Sequence, residues 1–465
     1  MKTSDEIMKA KSVHIFAWPF RFERKKSVFK EMVKKKGWKE KSIKKILNFQ
    51  DPKANDRDVA DCFMLHQYLS HSAKEIFIYN DICSIYDYPF EAEKNYEYYF
   101  KKGSKEFRLP IAAIQLHVYD YGVGILFIQV WNQSYNDIAD IKWINDYGRR
   151  VSLPYLSNGE LLCADELGIC LDGSMVQKTD FKKASAEYSD RDDAKTALQQ
   201  AGFLFALLNC NLNNTGENDI KVNPHTDDRM FVFSLIRDAE LSERVEESQE
   251  YEKQLYSILF VDSSDATCQN REMRKQLFTK AVYPRWSDYG TLYGATSYSL
   301  CCITTDATVV NENVVRPFLA EYSYIASLVL AQRIGIIAFT AHSGKVVSGL
   351  NSKMNWWKSG IGFFRAARLS WIQKQYIDFK NRLLILEAST QEQGIEIYQL
   401  LQRQFLVKEE QEILDGKLQS LYEAANISIG NRLAVIGLIL AAAALYPNLG
   451  NKIAEKAYKL LMQIP

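Results

Sequence analysis

The eight cysteines of this 465-residue chain, at 62, 83, 163, 170, 210, 268, 301 and 302, include no Cys-x-x-Cys pair and no Cys/His cluster at zinc spacing. That excludes the common structural zinc sites and leaves buried, reduced thiols as the expectation. The formal net charge of +1 removes any global pull toward nucleic acid or an anionic membrane. Met1 to Val13 is charged and has no continuous apolar core, so no secretory signal is expected and the location reads as cytoplasmic. Catalytic signatures are missing as well: no Gly-x-Ser-x-Gly, no His-Glu-x-x-His, no Walker or dinucleotide fingerprint around Gly290 and Gly294, and no Cys/His nucleophile pair. Nothing in the sequence is a self-sufficient mark of an enzyme.

What the chain does have is regional. Between Arg21 and Lys45 twelve basic residues face three glutamates, a local +9 that leaves −8 for the rest. Asp238 to Glu252 carries seven carboxylates and one arginine. Strands are expected at Val13 to Trp18, where Pro19 suggests an edge or a strand end, then at Ile76 to Tyr79, Leu116 to Tyr121, Ile125 to Trp131, Met230 to Ile236, Tyr256 to Val261 and Thr296 to Ile303. Helices are expected over Lys25 to Leu47 with a break at Gly37, over Asn136 to Trp143 with Gly148 as C-cap, and over Ala194 to Leu208 and Ala239 to Glu252. The strands of the second half repeat the plan of the first in pattern rather than identity, with Met230 to Phe233 answering Val13 to Phe16. After Asn311 the chain reads as helix. Phe318 to Phe339 is apolar almost throughout, and Leu369, Ile372, Tyr376, Phe379, Leu383 and Leu386 step by three and four as in a coiled-coil seam. The fold class is therefore α+β: a duplicated α/β sandwich with helices on one face of a largely antiparallel sheet, followed by long C-terminal helices. The expected domains are 1–156, 157–310 and 311–465.

Two pairs and one cluster are candidate ligand-binding residues. Arg149 and Arg150 follow a glycine and suit bidentate grip of a phosphate or carboxylate; at the end of a helix they would equally offset its dipole. His225, Asp227, Asp228 and Arg229 precede a strand and suit a divalent cation or a phosphate, or a strand-initiating turn with Arg229 paired to one of the carboxylates. Gln332 and Arg333 are polar residues in an apolar helix, where a buried partner for Arg333 is the competing reading. No cofactor is identified beyond that divalent cation. The basic stretch Arg21 to Lys45 would serve nucleic acid or an anionic surface, but its aromatics look like core anchors rather than a stacking platform, which weighs against nucleic acid. A solvated helix face, or docking against the acidic helix Asp238 to Glu252 of the same or another subunit, is its other reading. One run near membrane length, Leu433 to Tyr446, is placed either in a core or at a membrane, as a peripheral or single-helix contact.

The stretches Gly122-Val123-Gly124-Ile125-Leu126, Tyr147-Gly148-Arg149-Arg150, Asp227-Asp228-Arg229-Met230, Tyr293-Gly294-Ala295-Thr296, Ala331-Gln332-Arg333 and Ser389 to Gln393, with Pro19-Phe20, are spread over most of the chain. With the order of α/β domain, seamed helices and C-terminal apolar helix, they resemble CorA-type divalent-cation channels and their CorA-like relatives. The chain lacks their Gly-Met-Asn motif, and Lys452 to Pro465 is too polar to be a second membrane helix. The resemblance implies a non-enzymatic homo-oligomer, associating through its C-terminal helices, that senses or regulates rather than conducts. A ligand-binding effector or enzyme for an anion or nucleotide is the second reading, and a nucleic-acid-binding module the third.

Overall fold

The computed structural model describes residues 7–423, apart from 53, 80, 92, 154–160, 184–200, 213–219, 225–228, 245–247, 265 and 351–359, together with residue 441. Leu433 to Tyr446 and Lys452 to Pro465 fall outside this set but for that residue, and so does the start of the helix expected at Ala194. The chain forms two compact units, one of Met1–Gly335 with Phe379–Lys408 and one of Ile336–Asp378 with Glu409–Pro465.

The first unit is built on one sheet. Its strands are β1 (Ser12–Arg21), β2 (Lys39–Lys41), β3 (Cys83–Asp87), β4 (Tyr96–Lys102), β5 (Lys105–Tyr119), β6 (Val123–Asn132), β7 (Glu166–Leu171), β8 (Ser174–Asp180), β9 (Asn223–Pro224), β10 (Phe231–Arg237), β11 (Val282–Trp286), β12 (Thr291–Ala295) and β13 (Ser299–Thr304). They run in the order β11-β12-β13-β10-β1-β6-β5-β4-β7-β8, with β2, β3 and β9 attached beside that path. Strands from both expected α/β domains thus share one hydrogen-bonded ladder, and the boundaries expected near 156 and 310 are not where the compact units divide.

β1 is central, not an edge. Ile15 lies opposite Phe233 of β10 on one side and Gln129 of β6 on the other, both antiparallel. Pairing with β10 ends at Ala17 and pairing with β9 begins at Phe20, so Pro19 falls in the gap, where a missing N–H is tolerated. Both faces of β1 are covered, which is why its sequence is apolar without alternation. Phe16, Trp18 and Phe20 pack with Ile144 of the helix Ile138–Arg149 and with Phe203 and Leu204 of the helix Gly202–Leu208. On the opposite face His117 and Tyr119 of β5 meet Ser327 of the helix Ser323–Leu350 at 2.9 and 2.6 Å. Helices therefore cover both faces of the sheet rather than one.

The two halves also differ in topology. β6 returns antiparallel to β1, whereas β13 lies parallel to β10. Two expected strands are helical: Ile76 to Tyr79 lies in a π-helical turn, Glu75–Tyr79, and Tyr256 opens the last turn of the helix Gln249–Leu259. A short apolar run suits a buried helix face as well as a strand, and here the sheet's helical layers take both.

The apolar segment after Asn311 is core. Among the described residues one helical stretch, Asn311–Gly344, is long and apolar enough to cross a membrane, and 78% of its apolar window is buried in the fold. Ile372, Tyr376, Phe379 and Leu383 of the expected seam are buried within the chain. In the first unit Phe379 packs where a side chain on Gly335 would stand, and its ring meets Tyr121 at 5.3 Å. In the second unit Tyr376 meets Phe339 at 5.4 Å, with Ile372, Leu414 and Leu418 also buried. Leu386, the last seam position, is 87% exposed.

His117 gives the sheet a titration signature. Burial pushes its imidazole down from 6.5 to about 3, with Lys41 nearby adding to the effect. A base whose folded pKa is depressed contributes full stability above its unfolded pKa and loses it as pH falls toward the folded one. The wild type should therefore lose about 2 kcal/mol from this group between pH 6.5 and 5. Urea titrations of wild type and His117→Gln at both pH values check this, the variant losing less by that amount.

Candidate functional site

Three of the candidate arginines meet at one place. The helix Ile138–Arg149 lies against β1 so closely that a Cβ on Gly148 would stand 2.8 Å from the Phe16 ring, and the Tyr98 hydroxyl donates to the Gly148 carbonyl at 2.6 Å. Gly148 is therefore inside the helix for close approach, not the C-cap expected from sequence; the cap is Arg150, in extended backbone. That contact fixes where the helix ends and where Arg149 and Arg150 leave it.

From there the chain pairs with the residues before β10. The Arg149 carbonyl accepts from the Met230 N–H at 2.8 Å, and Arg150 and Arg229 form an antiparallel bridge. The two arginine stretches, far apart in sequence, are thus held by backbone bonds. The guanidinium carbons of Arg149 and Arg229 lie 5.3 and 5.4 Å from the centre of the Tyr298 ring, within cation–π range. Tyr298 is 39% exposed on a turn whose backbone is tied down by Thr296, which accepts from the Tyr298 and Ser299 N–H groups at 3.1 and 3.2 Å. Thr296 in turn donates to the Leu259 carbonyl at 3.0 Å.

The charges are unequal in exposure. Arg149 is buried; its guanidinium donates to the Val261 carbonyl at 3.3 Å and stands 3.7 Å from the Asp146 carboxylate. Arg150 donates to the same buried carboxylate at 2.9 Å. Arg150 and Arg229 are half-buried, and the Arg229 guanidinium lies beside the tyrosine. Behind the site runs a closed polar chain. Asn132 donates to the Ser12 hydroxyl at 2.9 Å, Ser12 meets His14 Nε2 at 2.9 Å, and His14 Nδ1 meets the Asn145 carbonyl oxygen at 2.7 Å. Its bonding order is that of a Ser-His-Asn nucleophile, but Ser12, His14 and Asn145 are at most 1% exposed and no substrate reaches them. Burial pushes His14 down from 6.5 to about 4, so the neutral ring braces the helix that carries Asp146, Arg149 and Arg150.

The other candidates lie elsewhere. His225, Asp227 and Asp228 are outside the described residues, and the divalent-cation expectation attached to them lies there too. Among the described residues no group of three or more His, Cys, Asp or Glu is placed to hold a metal ion. Gln332 is fully buried and cross-braces helices: its amide donates to the Leu383 carbonyl at 2.8 Å and to the Tyr398 hydroxyl at 2.9 Å. The Arg333 guanidinium lies 5.1 Å from the centre of the Phe405 ring, so its partner among the described residues is an aromatic face. Three lysines of the basic segment are engaged within the fold, Lys26 with Asp120 at 3.1 Å, Lys30 with Asp81 at 2.6 Å and Lys34 with Glu40 at 2.7 Å. The sequence reading missed Tyr298 and the part played by Asp146. The latter was readable, since a carboxylate three and four residues before two arginines shares their helix face.

Comparison with family models, curated proteins and solved structures gives no match for this chain.

Proposed function

We propose that the chain is a non-enzymatic effector that binds an anionic ligand, one bearing a phosphate or a carboxylate, at Arg149, Arg150, Arg229 and Tyr298. The observation that carries this reading is the convergence of two guanidinium groups from distant segments, Arg149 and Arg229, on one partly exposed tyrosine, with Arg150 bridged to Arg229 through the backbone. Guanidinium groups present planar, paired donors that match phosphate and carboxylate oxygens, and they stay charged at all physiological pH values. Arg149, locked by Val261 and Asp146, supplies fixed positive field from behind, while Arg150 and Arg229 supply the donors that reach a ligand.

A thermal-shift series with pyrophosphate, ATP and citrate, at ionic strength matched with chloride, tests the reading. An anion present at a hundred times its Kd should stabilise the wild type by about 2.7 kcal/mol. Arg150→Ala and Arg229→Ala should each weaken binding by about tenfold or more, since a charge-assisted hydrogen bond contributes about 1.5–3 kcal/mol. Equal shifts in wild type and both variants would contradict it.

Self-association through the C-terminal helices and membrane contact through Leu433 to Tyr446, in the manner of CorA-like proteins, remain part of the proposal. They rest on the sequence resemblance and on that apolar run. Fractionation with salt and carbonate washes, followed by light scattering, tests them: a protein wholly in the supernatant and monomeric would contradict both.

A further inference from the structure

A cavity that shares no residue with the arginine site has the opposite chemistry. It lies where the start of β4, the middle of β5 and the turn between β7 and β8 come together, and encloses about 460 Å³. That falls within the roughly 300–1,000 Å³ of small-molecule sites. Its apolar surface includes three rings, Phe90, Tyr96 and Trp131, the first two packed edge to face with centroids 5.0 Å apart. β5 carries a bulge between Ile111 and Ala113 where it borders the cavity, which opens the ladder locally.

The charge of the lining is one-sided. Glu91, Glu93, Glu97 and Asp172 face the single cation Lys94, a net −3. Lys94 is paired with Glu91 at 2.7 Å, and Asp172 is fixed at the rim by accepting the Asn95 N–H at 2.9 Å. Among the described residues Glu93 is the carboxylate of this lining without a partner, and Glu97 is held only by a long ion pair to Arg108 at 3.8 Å. A bare metal ion would need several carboxylate or imidazole ligands converging on one point, and among the described residues no such group exists. Rings beside carboxylates suit instead a cation with an organic body: the ring faces attract it, the apolar walls cover its carbon atoms, and the carboxylates accept its N–H bonds.

We propose that this cavity binds a small organic cation, an ammonium or guanidinium group on an apolar chain. Isothermal titration of the full-length protein with agmatine, spermidine and choline is the test, with 1,4-butanediol as the neutral counterpart and magnesium chloride as the inorganic one. At least one of the three organic cations binds and the diol does not. The double variant Glu93→Gln, Glu97→Gln binds that cation about tenfold more weakly, and Lys94→Gln binds it more tightly. The second variant guards against a folding defect in the first, because a damaged cavity does not gain affinity. The proposal is overturned if none of the three cations binds, if the diol binds as well as the cations, if magnesium displaces them, or if affinity is the same in wild type and both variants.

Discussion

Glu252→Ala is expected to lower the unfolding free energy by about 3–5 kcal/mol, the largest loss from any single surface-distant carboxylate in this account. Glu252 lies on the helix Gln249–Leu259 and is 6% exposed. Its two oxygens accept from Arg274 Nε at 2.9 Å and from Arg271 Nε at 3.1 Å. Arg274 is fully buried, and its Nη1 donates to the Cys268 and Gln269 carbonyls at 2.8 and 2.9 Å. Removing the carboxylate leaves that guanidinium buried without its counter-charge, a penalty far above that of losing an exposed pair. Arg271, whose side chain is 51% exposed, provides the internal control: Arg271→Ala should cost about 1 kcal/mol or less. Urea unfolding of both variants checks the difference. Equal losses would mean that the Arg274 charge is not sealed from water as the packing requires.

Glu321 should make the stability of the first unit fall as pH rises through neutrality. The residue lies in a π-helical turn, Phe318–Tyr322, and is fully buried. Ser389 donates to its Oε1 at 2.6 Å, and its Oε2 is a buried oxygen with no hydrogen-bond partner among the described residues. Burial raises the carboxyl from 4.5 to about 7, opposed by the Ser389 bond. An acid whose folded pKa exceeds its unfolded one contributes full stability below the unfolded value and loses it as pH passes the folded value. At about 1.4 kcal/mol per tenfold, the loss between pH 4.5 and pH 8 amounts to about 3 kcal/mol. Glu321→Gln should flatten that slope and be the more stable protein at pH 8 relative to pH 5. Wild type and variant with parallel pH profiles would contradict it. The same segment holds Ser70 and Tyr68: the Ser70 N–H donates to the Ala388 carbonyl at 3.0 Å and the Thr390 N–H donates to the Tyr68 carbonyl at 2.7 Å. Hydrogen exchange at Ala388 to Gln391 should accordingly quicken as Glu321 ionises.

Where the sequence pattern was dictated by burial, it was legible. β1, β6, β10 and β13 are apolar because both their faces are covered, and each was located within a few residues. Where a local signal competed with a stronger tertiary one, the reading went astray. Gly148 looks like a helix stop, but Phe16 needs the space a side chain would fill. Ile76 to Tyr79 and Tyr256 to Val261 are short apolar runs with no period to separate strand from helix. The hairpin of β7 and β8 was overlooked although Leu171-Asp172-Gly173-Ser174 carries its turn, with Asp172 and Gly173 both at positive φ, 50° and 78°. As for the site, its arginines were visible as two short polar clusters. Tyr298 was not, because what makes it part of the site is the parallel pairing of β10 with β13, a long-range contact that no local pattern encodes.

In the proposed site Arg150 and Arg229 act together on one anion beside Tyr298. Isothermal titration of pyrophosphate into wild type, Arg150→Ala, Arg229→Ala and the double variant tests it most directly. If the two arginines share a ligand, the double variant loses less than the sum of the single losses, and chloride competes in proportion to its concentration. Additive losses, or pyrophosphate affinity unchanged in all three variants, would contradict the account.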